Sequence, residues 1–590
     1  MKKGSLCRYL ALSLLPVTVF AVGCGGGASS PKVAPVVISV SLNSQSAAIG
    51  TGQSTQFSAT TNDTAGVTWT ASAGTVDASG NYTAPSAPQS TTATVTATSK
   101  TDTTKTASAT VNVVAPGTVT PTANLQVALY SVSPAAAGNV SVQFGLDTTY
   151  GLTTWTQPAP QGGGAVSLFV AGMKANTQYH MRGVVQFGDG SQFTDADQTF
   201  ASGQQLSPNL TPNVVVTKTA GMTPQSGVEL LDLIGPFVPV AVADLNGHVL
   251  WSYNPGIASV APQPIKLLPN GHFMVNFAEV NGADSVLQEV DLSGTVIWQM
   301  TSTDLNNALA ASCASTGIGC NLTVLGTHHD FVQLPSGHLI VIASHQEIIS
   351  GITVTGDMII DLDQNHKPVW LWDEFDHLDT NRRPYMYPDW THTNAVIYSA
   401  DDGNLIISIR HQNWLVKIDY ANGKGAGDIL WKLGYQGDFT LQNADGTPDT
   451  NAADWFFAQH GPSFVSSNTT GNFSLTLFDN GDDRGVTVTT GGTCGVSGQP
   501  DCFSTAPIFN LDESALTATF TIHPNTPDYS FFGGNAETLK NGNLEYCETS
   551  VGKIYEVTQD ASPQTVWQMA LSEDVYRGQR IPSLYPGVQW

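Results

Sequence analysis

Basic residues are scarce: 22 Lys and Arg stand against 47 Asp and Glu, a net charge of −25. So acidic a chain has little with which to neutralise phosphates, which argues against nucleic acid as a partner. Charge of either sign is thin, at 12% of residues, about half the usual share. The surface is therefore built of Ser, Thr, Asn, Gln and Gly, as suits a secreted β-protein. After the first two dozen residues no segment is long and apolar enough to cross a bilayer. There is no GxSxG, phosphate-binding loop or HExxH, and no Cys/His spacing fits a zinc site, so no metal is expected. What is present suffices for packed cores: 41% of residues are hydrophobic and 9% aromatic, which excludes wholesale disorder. At 590 residues the chain exceeds one core and implies several domains.

The N-terminus reads as an export signal over residues 1–23. Lys2, Lys3 and Arg8 precede an apolar stretch from Tyr9 to Val22 that is short for a membrane span. Ala21-Val22-Gly23-Cys24 resembles a bacterial lipobox, which implies lipidation of Cys24 and an exported protein anchored to the outer membrane, facing the periplasm or the cell surface. Gly25 after the cysteine favours the outer membrane by the same resemblance. In such an oxidising compartment the close pairs Cys313/Cys320 and Cys494/Cys502, set in Gly/Ser/Thr-rich loops, suggest two local disulfides. Cys547 is left over in a strand-like run, as a small buried hydrophobe.

Residues 24–35 form a Gly/Ser/Pro tether. Residues 36–114 are short alternating strands with turn signals such as Ser79-Gly80-Asn81, and they resemble an immunoglobulin-like sandwich with Trp69 in its core. A linker, 115–121, leads to a second strand-rich module over 122–205. There Lys174 to Arg182 resembles the tyrosine corner of fibronectin type III modules. Twelve of the 13 histidines follow residue 206, so any chemistry lies downstream.

Residues 206–590 carry a diverged repeat. A strand–turn–strand unit recurs around Gly271, Gly337, Gly403, Gly471 and Gly542, spaced 66 to 71 residues apart. A hairpin closing on an aromatic recurs six times, at Trp251, Trp298, Trp370, Trp431, Phe520 and Trp567. Four antiparallel strands per repeat cannot bury their faces singly but can do so radially. An all-β chain follows, a six-bladed β-propeller behind two small β-sandwich domains. The segment 207–236 parses poorly and leaves room for a seventh blade.

The strand before each turn glycine is the candidate innermost strand, whose equivalent positions converge on the axis. Read repeat by repeat it gives Thr327-His328-His329-Asp330-Phe331, then Asp389-Trp390-Thr391-His392-Thr393-Asn394, then Ala458-Gln459-His460-Gly461. Each sets a histidine 8 to 11 residues ahead of its turn glycine. Arg410 ends the following strand of the middle repeat. A guanidinium among imidazoles repels a metal ion but donates bidentately to sulfate or phosphate.

Here the sequence resembles the bacterial arylsulfate sulfotransferases. The matching stretches are those three, with Ser408-Ile-Arg-His-Gln412 and Phe478-Asp-Asn-Gly-Asp482 followed by Arg484-Gly485. The resemblance covers about residues 206–590. It implies that a histidine takes the sulfuryl group of an aryl sulfate and passes it to a phenol, with no cofactor and no nucleotide donor. By motif His460 is the nucleophile, His392 and Arg410 bind the sulfate and stabilise the transition state, and His329 is an acid/base or oxyanion donor. Asn394, His328 and Trp390 are substrate-binding candidates; Phe331, Trp455 and Phe456 sit beside the motifs and with Trp390 offer an apolar wall for an aryl group, though each taken singly reads as propeller core. His328 and His329 alternate along a strand, so one faces the channel, and His329 is favoured because Asp330-Phe331 follow it as in the family. His411, opposite Arg410 by alternation, reads as structural. His345, His366, His377 and His523 have no constellation around them. Two other readings stand beside transfer: aryl sulfate hydrolysis on the same site, and a non-catalytic propeller that binds surface glycans.

Overall fold

A computed structural model describes residues 36–206, 212–235, 238–257, 260–279, 284–385, 388–482, 484, 503–560 and 562–590. It is all-β: among the described residues α-helix is confined to Ser302–Thr316 and the single turn Glu374–His377. The leader, Cys24, Cys494 and Cys502 lie outside the described residues.

Residues 40–114 fold as small sheets around Phe57, Tyr82, Val95 and Val111, with Trp69 packed at the edge of that core. A second set of sheets surrounds Tyr130, Phe144, Tyr179 and Phe187. The linker is shorter than its composition suggests, because Thr118–Pro121 pairs with Ala128–Val132 as a strand. Tyr179 accepts the backbone N–H of Lys174 at 3.0 Å, which fixes the turn between them.

Downstream, six sheets of at least four strands follow one another, antiparallel except where Thr440–Gln442 pairs parallel with the Thr517–Ile522 strand of the fifth. The second to fourth are continuous in sequence: Val260–Thr301, Val324–Asp373 and Thr393–Gly434. The fifth is built on His460–Phe464, Asn472–Phe478, Ile508–Asp512 and Thr517–Ile522, and the sixth on Asn535–Thr538, Leu544–Glu548, Lys553–Val557 and Thr565–Leu571. The first is not continuous. Its three strands Val228–Ile234, Val240–Asp244 and Val249–Tyr253 are completed by Asp574–Ile581 from the C-terminal end. Among the described residues the segment that parsed poorly supplies no further sheet: Val214–Lys218 joins the sixth as a fifth strand against Thr565–Leu571.

Runs of successive apolar residues, such as Leu339–Ala343 and Trp414–Val416, give the sheets two buried faces, and the cores run between neighbours. Separate clusters join sheets one and two, two and three, three and four, four and five, and five and six. A sixth cluster, containing Leu231, Ala241, Cys547, Trp567 and Val575, joins the sixth sheet to the first. Cys547 is fully buried there. The strands ahead of the turn glycines each sit at one edge of their sheet, as the sequence suggested.

One expectation fails between the second and third sheets. Cys313 is not in a loop but in the last turn of helix Ser302–Thr316, bonded to Cys320 just beyond it. The helix starts on a capping box, in which Thr301 and Asp304 satisfy each other's backbone N–H. That local signal was present in the sequence but outweighed by the surrounding strand pattern.

Candidate active site

Three of these edge strands carry the same distortion, within the strand at His329 and just ahead of it at His392 and Ala458. His329, His392 and Ala458 take left-handed backbone conformations, with φ of +59°, +53° and +52°. Pairing shifts register between Thr327 and Phe331, Thr393 and Ala395, and His460 and Ser463. Such bulges re-aim side chains at functional sites. The result is convergence: the His329 ring centre lies 4.7 Å from that of His392 and 6.5 Å from that of His460.

The bulge also overturns simple alternation at the histidine pair. His328 and His329 both line one cavity of about 390 Å³, with Gln263, Thr327, Asp357, Asp389 and His392. Their Nδ1 atoms are 2.7 Å apart, and His328 Nε2 is 2.9 Å from Asp357 Oδ1.

His460 is 2% exposed. Its Nδ1 faces two acceptors, Asn480 Oδ1 at 2.7 Å and the Ala458 carbonyl at 3.1 Å. The Asn480 amide is held in that orientation because its Nδ2 donates to the carbonyls of Ser530 and Gly533. Nδ1 therefore carries the hydrogen and Nε2 the lone pair. Burial, then the charge of Arg410, pushes this imidazole well below the usual histidine range. His329 is pushed down in the same way, by burial first and then by His392 and His328.

Two guanidiniums flank the imidazoles. Arg410 donates to Asp482 Oδ2 at 2.9 Å, to the Phe531 carbonyl and to His411 Nε2. Arg577, from the C-terminal strand of the first sheet, donates to Asp330 Oδ2 at 3.2 Å and to the Asn394 carbonyl at 3.0 Å. Among the described residues the Nε–H of each is buried without a partner. Arg577 escaped sequence reasoning: it lies in no motif, and only the return of the last strand to the first sheet brings it here.

His411 is not peripheral. The turn Arg410–Gln412 breaks the alternation, so His411 stacks on His392 at 4.7 Å and donates from Nδ1 to the Asp389 carbonyl at 2.9 Å. Burial, followed by His392 and Arg410, lowers it to about 3. His392 Nδ1 lies 2.5 Å from Asp389 Oδ2. Burial alone would raise the Asp389 carboxyl, but His392 outweighs it and the group is held well below the usual carboxylate range. Asp389, His392 and His411 offer ligand atoms within 4.8 Å of one another, yet both His411 nitrogens are engaged and Arg410 abuts the group.

Two candidates are not brought to the cavity. Trp390 is fully buried, donates from its indole to the Arg382 carbonyl at 2.9 Å and packs on Phe375. Asn394 is also fully buried, its Nδ2 spent on the Gln459 carbonyl at 2.7 Å. Both serve as struts beneath the histidines. His345 does have a partner, Asp373 at 3.0 Å, which no local pattern could reveal because the two sit on separate strands.

Residues 238–577 match the family model described as Arylsulfotransferase (ASST). The arylsulfate sulfotransferase AssT of Escherichia coli O6:H1 is 26% identical over 209 residues, covering 26% of this chain and 34% of that protein. The chain thus spans about a third of that relative's length. Among solved structures, a quinonprotein alcohol dehydrogenase-like protein of Bacteroides thetaiotaomicron has a TM-score of 0.27 at 9% identity, over 91% of this chain and 96% of that one. The GH43 protein BlXynB of Bacillus licheniformis has a TM-score of 0.26 at 12% identity, over 57% and 60%. Matched across more than half its length by one family model, the chain belongs to the arylsulfotransferase family.

Proposed function

We propose that the six sheets are the blades of a six-bladed β-propeller, and that the site at its centre transfers a sulfuryl group from an aryl sulfate to a phenol through sulfo-His460. Six interblade cores, the last between sixth sheet and first, support the propeller. The observation that carries the chemistry is His460: a neutral imidazole with Nδ1–H committed to Asn480 and a free Nε2 lone pair, set beside two guanidiniums.

In the first half-reaction the Nε2 lone pair forms an N–S bond as the S–O bond to the aryl oxygen breaks, and the aryl oxygen leaves with the bonding pair, taking a proton from His329 where it is strongly basic. In the second a phenol oxygen attacks sulfur, the S–N bond breaks and a proton leaves the phenol. Negative charge spreads over the three sulfuryl oxygens in both transition states, as in phosphoryl transfer, and preorganised donors stabilise it. Arg410, Arg577 and His392 are those donors, and His329 handles the phenol proton. Splitting transfer into two displacements gives ping-pong kinetics. On the strength of the leader sequence we read the protein as exported and lipid-anchored through Cys24.

Incubation with 4-nitrophenyl sulfate and no acceptor should add one sulfuryl group, found by mass spectrometry on the peptide containing His460. Retention of full transfer activity by His460→Ala would sink the assignment. Turnover without any added phenol would indicate hydrolysis instead.

A further inference from the structure

We propose that Asp357, His328 and His329 form a proton relay in which His329 changes tautomer without ever carrying net charge. The inference rests on the transferase reading above and assigns His328 and Asp357 a role in it.

The hydrogen count dictates the relay. Asp357 Oδ1 can only accept, so His328 Nε2, 2.9 Å away, carries a hydrogen. Asp357 is fixed for that task, since its other oxygen accepts the Thr393 N–H at 2.6 Å and the Thr391 hydroxyl at 3.2 Å. The two Nδ1 atoms, 2.7 Å apart, share a single hydrogen between them. If that hydrogen belongs to His329, His328 is neutral and His329 Nε2 is a bare acceptor. If it belongs to His328, that ring is an imidazolium paired with Asp357, and His329 Nε2 carries a hydrogen it can give away.

These two states are what the two half-reactions need. As the S–O bond of the aryl sulfate breaks, His329 Nε2–H passes its proton to the departing aryl oxygen. The Nδ1–H proton of His328 moves to His329 Nδ1, and His328 becomes neutral. In the return half-reaction the phenol O–H proton goes to His329 Nε2 and the Nδ1 proton returns to His328. One proton leaves the relay in the first half-reaction and one enters in the second, so atoms and charge balance over the cycle. His329 stands between His392, His460, His328 and Arg577, where an imidazolium is disfavoured first by withdrawal from water and then by the charged groups around it, the Arg577 guanidinium among them. An ordinary acid at that position would have to become one. The relay moves the positive charge one ring outward, next to a carboxylate.

The test compares His328→Gln with wild type on two donors, by single-turnover sulfation of His460. Phenyl sulfate has a strongly basic leaving group that needs the proton, whereas 4-nitrophenyl sulfate has one that leaves unassisted. General acid catalysis contributes about 100-fold or more, so the variant should lose about that factor with phenyl sulfate and less than about threefold with 4-nitrophenyl sulfate. Equal slowing with both donors would overturn the relay and leave transfer standing. Wild type that sulfates His460 from neither donor would overturn the transferase reading and the relay together. Should the variant not fold, wild type decides in mixtures of light and heavy water. A curved rate dependence with phenyl sulfate, from two protons in flight, supports the relay, and a straight line refutes it.

Discussion

In the proposed reaction His460 is kept ready for attack by what its other nitrogen does. With Nδ1–H fixed on Asn480 and the imidazole held well below the usual range by burial and Arg410, the neutral form with its Nε2 lone pair persists at acid pH. The sign is definite: a lowered pKa means protonation, and loss of the lone pair, only below the ordinary value of about 6.5. Sulfation of His460 by 4-nitrophenyl sulfate should therefore stay flat as pH falls from 8 through 6.5. Single-turnover rates that halve near 6.5 would contradict this account. The histidines themselves were legible in the sequence, because equivalent positions of a repeat must meet. Their partners were less so. Asp389 and Asn480 sat in recognised stretches without roles, and Asp357 and Arg577 reach the site from strands whose own sequence carries no sign of it.

At the scale of the strand, the bulges matter more than the pattern they interrupt. Strict alternation put one of His328 and His329 outside the cavity, yet the shift between Thr327 and Phe331 turns both inward. Periodicity describes regular strands, and a catalytic strand is irregular where it does its chemistry. Gly461 shows how tight that irregularity is. It has φ of +50°, and a Cβ there would lie 2.6 Å from the Cα of Asn535 and 2.7 Å from the Gly534 carbonyl. The fifth and sixth sheets approach backbone to backbone beside His460. Gly461→Ala should cost about 1–3 kcal/mol from overpacking, with more from the left-handed φ. Urea denaturation gives the value, and a midpoint within error of wild type would show that the strands can part freely. The repeat of turn glycines and closing aromatics made the sheet count readable, whereas the helix Ser302–Thr316 was hidden inside a repeat that otherwise reads as strand.

Across the whole molecule, the decisive contact is between residues far apart in sequence. Arg580 on the last strand of the first sheet forms ion pairs with Glu229 in the same sheet and with Glu545 at 3.0 Å and Glu556 at 3.1 Å in the sixth. All four residues are buried. Removing the one cation leaves three carboxylates in a dry interior, and breaking such buried pairs costs about 3–5 kcal/mol. Arg580→Met should lower the urea midpoint accordingly. A variant as stable as wild type would mean that the first and sixth sheets are held by their apolar core alone.

The pairing of Asp574–Ile581 with Val228–Ile234 has a consequence for timing. A ribosome delivers residue 228 long before residue 574. Until then the first sheet offers a raw hydrogen-bonding edge, the kind of surface that recruits stray strands. Arg577 arrives on that same late strand, so the nascent chain holds its histidines without their second guanidinium. Competence for chemistry is thereby withheld until the fold has been sewn shut.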